Sequence, residues 1–427
     1  MNLKSTLSFL WIAFSSSAFA QGNTAFAITG QSNKNFNWSD IRSIDMGSGN
    51  VNAVLFENGK TKFSFTDAAT KRQVNEITLQ GVPAVLKVND ATFSAQKISI
   101  KNPSPTFLMS AAVAYDQKHN KLFFASMQTG KLIWLDLNST SETPSFYTIE
   151  TPLVNRNDIN DEAFNITRMA IGSDGNGYAL TNDGNHLIRF TTGNKTIVAD
   201  LGNLLDAESN SAVSIHNKCS SWGGDIVADA FGKLILFSAS HSVFEIDLQS
   251  RIATYKGQVV NLPATFSLNG AAVDNDENVI VSSANTFDGF YKINMKDFSA
   301  TKINTKGQIF NASDLASSNL IGQAKAKSGT ASLPQLDVIG NKFISIYPNP
   351  VRTGLIKISF DKNIPGEYNV ALTDLQGRLI ENKTIYVKYS GQVENFKLST
   401  KPVRGLYLVK VTDVLNQNIF SDKLVIE

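Results

Sequence analysis

Short apolar runs separated by polar turns recur along most of this chain. A typical unit is an Ala-containing run, a turn and a second, strongly apolar run, as at residues 111–115 and 121–125. Similar units follow at 167–180, 225–237 and 270–281. Short runs rich in β-branched and aromatic residues, bounded by Gly, Asn and Asp, are typical of β-strands. The body of the chain is therefore predicted to be all-β.

The repeats predict a β-propeller. When Tyr115, Gly172, Asp229 and Asp274 are taken as equivalent, the units recur at intervals of 57, 57 and 45 residues. A third apolar run follows each pair and a more variable fourth can be proposed, which fits blades of four antiparallel strands. Ala and Gly would lie near the crowded axis, with large residues between blades. An array of β-sandwiches is the alternative.

Two weaker copies of the pattern, at 39–43 and 313–317, decide how the ring closes. The second copy lacks its remaining strands, so strands from the start of the body (residues 21–322) would complete the last blade. With these copies the estimate is about six blades, although five or seven fit almost as well.

From residue 342 onward the pattern changes to regular alternation of apolar and polar positions. About seven short strands fit into roughly 85 residues, which is typical of an antiparallel β-sandwich of immunoglobulin-like architecture. The stretch before it, 323–341, begins with small and polar residues without periodicity. We interpret this stretch as a flexible linker between the body and a second domain.

Motifs in this second domain resemble the type A C-terminal sorting domain of type IX secretion. Their marker residues are Tyr347, Pro348, Asn349, Pro350, Asp374, Gly377, Gly405, Tyr407 and Lys423. The resemblance implies that an outer-membrane translocon recognises residues 342–427 and that they are usually removed. The protein would then be secreted or attached to the outer cell surface of a Gram-negative bacterium. An adhesive sandwich domain without an export role is the alternative.

The N-terminus has the features of a secretory signal peptide covering residues 1–20. Lys4 supplies a positive charge, residues 7–14 are mostly apolar, and Ala18-Phe19-Ala20 has the small-x-small pattern that precedes a cleavage site. The apolar run is too short to span a bilayer, and no later run reaches the required ~18 apolar residues. We therefore expect an exported mature protein without a transmembrane segment.

Charge and cysteine content narrow the possible partners. The formal net charge is +2 and no basic run is long enough to follow a phosphate backbone, so no nucleic-acid partner is expected. Cys219 is the single cysteine, which excludes an intrachain disulfide. His216 lies nearby, but the other residues of a Cys–His catalytic pair are missing.

The usual catalytic and cofactor motifs do not occur in the sequence. It has no His-Glu-x-x-His pair, Walker loop, Gly-x-Ser-x-Gly elbow or dinucleotide fingerprint. The acidic stretches 174–177 and 274–278 resemble the start of a calcium loop but are not followed by its Gly and Glu at the required spacing. We therefore expect no cofactor and no metal site, with Ca²⁺ or another divalent cation as the alternative.

The candidate functional residues lie at or next to the predicted starts of the innermost strands, around one mouth of the central channel. They are Asp40, Arg168, Trp222, Asp225, Asn269 and Asp314. No catalytic residue is assigned, and the favoured function is non-catalytic binding of a glycan, peptide or protein ligand. A metal-dependent hydrolase or lactonase that uses the mouth carboxylates is the alternative. A structural role in surface adhesion is a third hypothesis.

Overall fold

The computed structural model describes most of the body and most of the second domain. The described residues are 23–32, 36–82, 96–140, 142–156, 160–328, 344–351, 354–360, 365–374, 378–389, 391–398, 403–413 and 418–426. The predicted signal peptide (1–20) lies outside them, as do residues 329–341 of the predicted linker.

The body consists of short strands with few helical turns. Its strands are β1 (Thr24–Gly30), β2 (Trp38–Asp45), β3 (Val51–Phe56), β4 (Ser64–Asp67), β5 (Glu76–Val82), β6 (Gln96–Lys101), β7 (Ser110–Asp116), β8 (Lys121–Ser126), β9 (Leu132–Asp136), β10 (Ser145–Thr148), β11 (Ile166–Ile171), β12 (Gly177–Thr181), β13 (Leu187–Phe190), β14 (Val198–Asp200), β15 (Leu205–Asp206), β16 (Asp225–Ala228), β17 (Lys233–Phe237), β18 (Ser242–Asp247), β19 (Ile252–Gln258), β20 (Gly270–Val273), β21 (Val279–Ser282), β22 (Tyr291–Ile293), β23 (Ala300–Lys302) and β24 (Ala312–Ala316). Its helices are two 3₁₀ turns, Glu162–Phe164 and Glu208–Asn210, and the short α-helices α1 (Lys218–Ser221) and α2 (Gln323–Ser328).

These strands form a β-propeller, as the sequence predicts. Blade 1 has the order β7-β8-β9-β10 with β4 added outside, and blade 2 is β11 to β14. Blade 3 is β16 to β19 with β15 added outside, blade 4 is β20 to β23, and blade 5 has the order β24-β1-β2-β3. The innermost strands β7, β11, β16, β20 and β24 contact one another in turn and close a ring around the axis. A separate two-stranded hairpin, β5-β6, lies in sequence between β4 and β7 of blade 1.

The described residues form five blades rather than the estimated six. The two weak copies of the repeat, 39–43 and 313–317, belong to the same blade, since the first falls in β2 and the second in β24. The predicted closure is confirmed: the N-terminal strand β1 pairs with β24 and completes the last blade.

Alternate residues of one strand pack against two different blades, which explains why the strands are almost continuously apolar. In β8, Leu122 and Phe124 pack with residues of blade 5, while Phe123 and Ala125 pack with residues of blade 2. Side chains of a strand point alternately to the two faces of its sheet, so a sheet buried on both faces needs apolar residues at every position.

The second domain is a sandwich of two sheets. Its strands are β25 (Ile344–Tyr347), β26 (Leu355–Phe360), β27 (Gly366–Asp374), β28 (Leu379–Val387), β29 (Gln392–Lys397), β30 (Gly405–Asp413) and β31 (Asn418–Ile426). One sheet has the order β25-β26-β29 and the other β28-β27-β30-β31. The predicted number of strands is therefore confirmed.

The start of the predicted linker is helical. Residues Gln323–Ser328 form α2, and the carboxylate of Glu277 accepts hydrogen bonds from the backbone N–H groups of Gly322 and Ala324 at 3.1 and 2.7 Å. Carboxylates are favourable at a helix N-terminus, so this blade 4 side chain ties the first turn to the body. Among the described residues, no helix is long and apolar enough to cross a membrane.

Candidate functional site

The innermost strands bring Asp225 and Asp314 together. Asp225 begins β16 and Asp314 is the third of the five residues of β24, and both side chains are fully buried. The two carboxyl groups share a hydrogen bond. Because carboxylates only accept hydrogen bonds, one of the two must carry a proton to donate it.

Asp225 and Asp314 also accept hydrogen bonds from backbone N–H groups of neighbouring blades. Asp225 accepts from Ala271 of blade 4 at 2.7 Å and from Met169 of blade 2 at 3.5 Å. Asp314 accepts from Val113 of blade 1 and from Leu315 of its own strand. Together the two side chains therefore contact all of the innermost strands. Their first role is to join strands, since the acceptor atoms are directed at the protein.

Burial changes the protonation of this pair. It raises the pKa of Asp225 to about 7. Burial, with the nearby charge of Asp225, raises the pKa of Asp314 well above its usual value. Loss of water disfavours the charged form of a carboxyl group, and a second carboxylate nearby disfavours it further. The pair therefore keeps a proton at pH values at which exposed aspartates are ionised.

The Arg168 side chain is engaged in hydrogen bonds within the protein, mainly to the loop before β16. Its fully buried guanidinium donates from Nε to the Gly223 carbonyl at 3.0 Å and from Nη1 to the Thr181 carbonyl at 3.2 Å, and Nη2 donates to the Ser221 carbonyl. Burial lowers the pKa of Arg168 to about 9, and the charge of Asp225 opposes this shift.

Trp222 lies in the loop before β16 and Asn269 lies just before β20, and both are engaged in local contacts. The Trp222 Nε1 donates to the His216 carbonyl at 3.3 Å, and the Lys218 ammonium lies 5.0 Å from the centre of its ring. Asn269 Oδ1 accepts from the Ala284 N–H at 2.9 Å and so fixes the loop after β21. Neither residue forms an open platform on its own.

Asp40 does not lie on an innermost strand, so this part of the prediction is wrong. It belongs to β2, the third strand of blade 5, where it pairs in register with Thr29. Its buried carboxylate forms an ion pair with Arg42 at 2.9 Å and accepts from the Asn58 N–H at 3.0 Å. The Arg42 guanidinium in turn lies 4.0 Å from the centre of the Phe310 ring. Residues 39–43 resemble an innermost strand because they are buried, although they belong to the third strand of the blade.

The innermost strands also surround a small cavity. Its volume of about 20 Å³ is lined by Ala114, Ala170, Ala228, Ala272 and Ala316, among others. One water molecule needs roughly this volume, so the cavity is too small for a sugar or peptide. The prediction that small residues lie near the axis is confirmed.

The two acidic stretches considered for calcium form ordinary turns. Asp174 accepts from the Asn176 N–H at 3.0 Å and from the Tyr178 hydroxyl at 2.8 Å. Asp274 accepts from the Asn278 N–H at 2.8 Å and forms an ion pair with Lys292 at 2.9 Å. No group of three or more His, Cys, Asp or Glu side chains suited to a metal ion occurs in the described part of the chain.

One surface feature of the mouth was not predicted. Phe36, just before β2, is 50% exposed, and its ring centre lies 5.4 Å from that of Phe287. The Trp38 Nε1 donates to the Ala284 carbonyl at 3.2 Å, which ties β2 to the loop that carries Phe287. In the sequence, the feature that could have indicated this surface is the pair of aromatic residues at 36 and 38 within an otherwise polar stretch.

In the second domain the sorting motifs converge on the last strand. Asn349, between Pro348 and Pro350, donates from Nδ2 to the Lys423 carbonyl at 2.7 Å and accepts at Oδ1 from the Val425 N–H at 2.9 Å. Its amide therefore pairs with β31 as a neighbouring strand would. Tyr347, which ends β25, is 39% exposed.

The other motif residues have separate roles. Asp374 accepts from the Arg378 guanidinium at 2.6 Å across the turn after β27, and Gly377 lies outside the described residues. The buried Tyr407 donates its hydroxyl to the Val403 carbonyl at 2.6 Å, which fixes the entry to β30 beside Gly405. Lys423 is exposed on β31.

Residues 345–427 match the family described as "Secretion system C-terminal sorting domain". The chain therefore carries a type IX secretion sorting domain at its C-terminal end, and this domain implies secretion or attachment to the cell surface. No match was found among curated protein sequences.

Several solved structures share a low level of similarity with the chain. PorZ, a surface component of the type IX secretion system of Porphyromonas gingivalis, is 13% identical with a TM-score of 0.30, covering 94% of this chain and 51% of that one. A streptogramin B lyase is 12% identical with a TM-score of 0.31, covering 63% of this chain and 77% of that one. A nidogen/laminin complex is 9% identical with a TM-score of 0.34, covering 69% of this chain and 97% of that one. The chain thus spans about half the length of PorZ. Likeness at this level carries no argument about function.

Proposed function

We propose that this exported propeller is a binding protein, whose body holds a glycan, peptide or protein ligand without converting it. The observation that carries the proposal is that the candidate carboxylates are already engaged within the protein. Asp225 and Asp314 are fully buried and accept hydrogen bonds from backbone N–H groups, and Asp40 is paired with Arg42. Groups used in this way are poor candidates for binding a metal ion or activating water, because their lone pairs already have partners.

The rim of the mouth supports a binding role better than the channel does. Phe36 is half exposed beside Phe287, and both lie on the side where β24 begins, since Gly30 at the end of β1 bonds to Asn311. Half-exposed aromatic side chains with polar neighbours are common at recognition sites. We infer that the ligand contacts this rim.

A thermal-melt experiment on the purified full-length chain tests the proposal. A ligand that binds the folded state raises the midpoint by mass action. The screen uses Ca²⁺, Zn²⁺, EDTA, neutral and acidic oligosaccharides and a peptide library. We expect an upward shift with an oligosaccharide or peptide, insensitive to EDTA and reduced in Phe36→Ala. Val54→Ala is the matched control, because Val54 is 48% exposed on the outer strand of the same blade.

Other outcomes would replace the proposal. A shift with Ca²⁺ or Zn²⁺ that EDTA reverses, together with hydrolysis of a lactone or ester substrate, would establish the metal-dependent hydrolase instead. If no compound shifts the midpoint, a structural role at the cell surface is the better explanation.

Export is tested separately, by removing residues 342–427. In a host with a type IX system, the full chain should reach the medium or the cell surface, whereas the shortened chain should remain in the periplasm. Fractionation and surface protease digestion measure the difference. Equal export of both chains would contradict the role of the domain in this protein.

A further inference from the structure

The last two strands of the sorting domain divide their side chains between two faces. Tyr407, Val409 and Val411 of β30 are buried in the core, as are Leu424 and Ile426 of β31. These positions are explained by packing, because the apolar face of each sheet must be covered by the other sheet. The alternate positions face outward and need another explanation.

Three of the outward positions of β30 and β31 are also apolar. Leu406, Leu408 and Val425 are each 37% exposed, and Leu406 pairs directly with Val425 across the two strands. We call these three residues the aliphatic strip. Across β27 the strip continues toward Leu379, which is 59% exposed, since Thr373 pairs with both Leu408 and Leu379. Adjacent exposed apolar residues on a sheet face are typical of interaction surfaces.

Two lysines flank the aliphatic strip. Lys423 pairs across the sheet with Leu408, and Lys410 pairs with Ser421 and Ala371. None of these cross-strand neighbours is acidic, and both lysines are exposed. A partner surface that is apolar with acidic groups at its edge would therefore complement this face in shape and charge.

The neighbouring strand edge is occupied, so the face rather than the edge is available. Asn349 bonds to the backbone of Lys423 and Val425, and the Val351 N–H donates to the Val425 carbonyl at 2.7 Å. An exposed strand edge would offer a place for another strand to add, but this part of β31 already has its partner within the domain.

We propose that the aliphatic strip, with Lys410 and Lys423, is the surface by which the sorting domain docks onto a protein component of the secretion system with an apolar, acid-rimmed surface. This inference rests on the proposed export of the chain by its sorting domain. It goes further in assigning the recognition to one face, and in separating its residues from those that only maintain the fold.

The test is export of the full-length chain in a host with a type IX system, measured as the fraction in the medium and on the cell surface. The double variant Leu406→Gln/Leu408→Gln should lower this fraction at least five-fold. Val393→Gln is the matched control, because Val393 is 47% exposed on β29 of the opposite sheet, and it should export like the native chain. The thermal midpoint of each purified chain shows whether its fold is intact.

A second export test changes the charge of the two lysines. It decides whether the face is used if the leucine substitutions lower the thermal midpoint and so disturb the fold. Lys410→Glu/Lys423→Glu should reduce export, and Lys410→Arg/Lys423→Arg should restore it. Native export of both the leucine and the glutamate variants, while removal of 342–427 abolishes export, would overturn the docking face but leave the proposed export intact. If the chain without 342–427 is also exported, both proposals fall.

Discussion

At the scale of single residues, the propeller axis depends on two carboxyl groups that cannot both be charged at low cost. Asp225 and Asp314 share a hydrogen bond and accept backbone N–H groups from Val113, Met169 and Ala271. Burial raises the pKa of both side chains. The folded protein therefore binds a proton here that the unfolded chain releases near pH 4.

This raised pKa predicts a stability that falls with pH. The contribution is fully present below about pH 4, the part from Asp225 is lost as the pH rises through about 7, and the part from Asp314 is lost as the pH rises through its own raised pKa. One extra proton in the folded state gives a slope of about 1.4 kcal/mol per pH unit. Asp314→Asn keeps a hydrogen-bond donor next to Asp225 but removes one of the two titrating groups, while burial still raises the pKa of Asp225. We therefore expect stability to fall less steeply with pH in this variant than in the native chain. Urea unfolding at pH 4.5, 6 and 8 measures it.

The control is Asp276→Asn, because Asp276 is exposed in the turn between β20 and β21. It should keep the native slope. Native and Asp314→Asn chains with equal slopes would show that the pair does not hold a shared proton.

The sequence places these aspartates but does not reveal their role. The repeat pattern places Asp225 and Asp314 at or next to the starts of innermost strands. Asp225 does begin β16, whereas Asp314 is the third of the five residues of β24. Their burial depends on how closely the innermost strands approach, which arises from contacts between blades that are distant in sequence. Asp40 fails for a related reason, since its buried β2 looks like an innermost strand when only local pattern is used.

At the scale of elements, the approach of β20 to β24 requires a residue without a side chain. A Cβ added to Gly270 would lie 2.7 Å from the backbone of Asp314 and Leu315 and 2.6 Å from the Ser282 hydroxyl. Backbone atoms of a packed ring cannot move away easily. Gly270 therefore sets the separation between these two strands.

Gly270→Ala is accordingly expected to destabilise the body by about 1–3 kcal/mol, the usual cost of overpacking. Denaturant unfolding of the full-length chain measures the change. The matched control is Gly193→Ala, because a Cβ at Gly193 would meet nothing within 4 Å. If Gly270→Ala is as stable as Gly193→Ala and the native chain, β20 and β24 can separate without cost.

A second element effect concerns the last strand of the sorting domain. Asn349→Ala removes both hydrogen bonds that its amide makes to β31. We expect a loss of about 1–3 kcal/mol and faster hydrogen exchange of the Val425 amide, which would lose its acceptor. Asn382→Ala, on the exposed part of β28, should change neither quantity. Unchanged exchange at Val425 in Asn349→Ala would contradict this role.

At the scale of the whole molecule, the ring is closed by strands from its two ends. In blade 5, β24 supplies the innermost strand and β1 to β3 supply the others. The sequence predicts this closure because the last copy of the repeat lacks its outer strands. It does not give the blade number, because 39–43 and 313–317 resemble one another locally and only their pairing shows that they share a blade.

Closure by β24 predicts that cooperative stability of the body depends on its last residues. A chain ending at 311 lacks β24, so β1 loses one of its two partner strands and Asp225 loses the carboxyl group with which it shares a hydrogen bond. Unpaired strand edges and a buried, unpartnered carboxyl group are both costly. A chain ending at 328 retains β24 and α2 and is the matched control. We expect residues 21–328 to unfold in one urea transition and resist trypsin, and residues 21–311 to unfold at a much lower urea concentration and be digested. Equal midpoints for the two chains would mean that the body is stable without the innermost strand of blade 5.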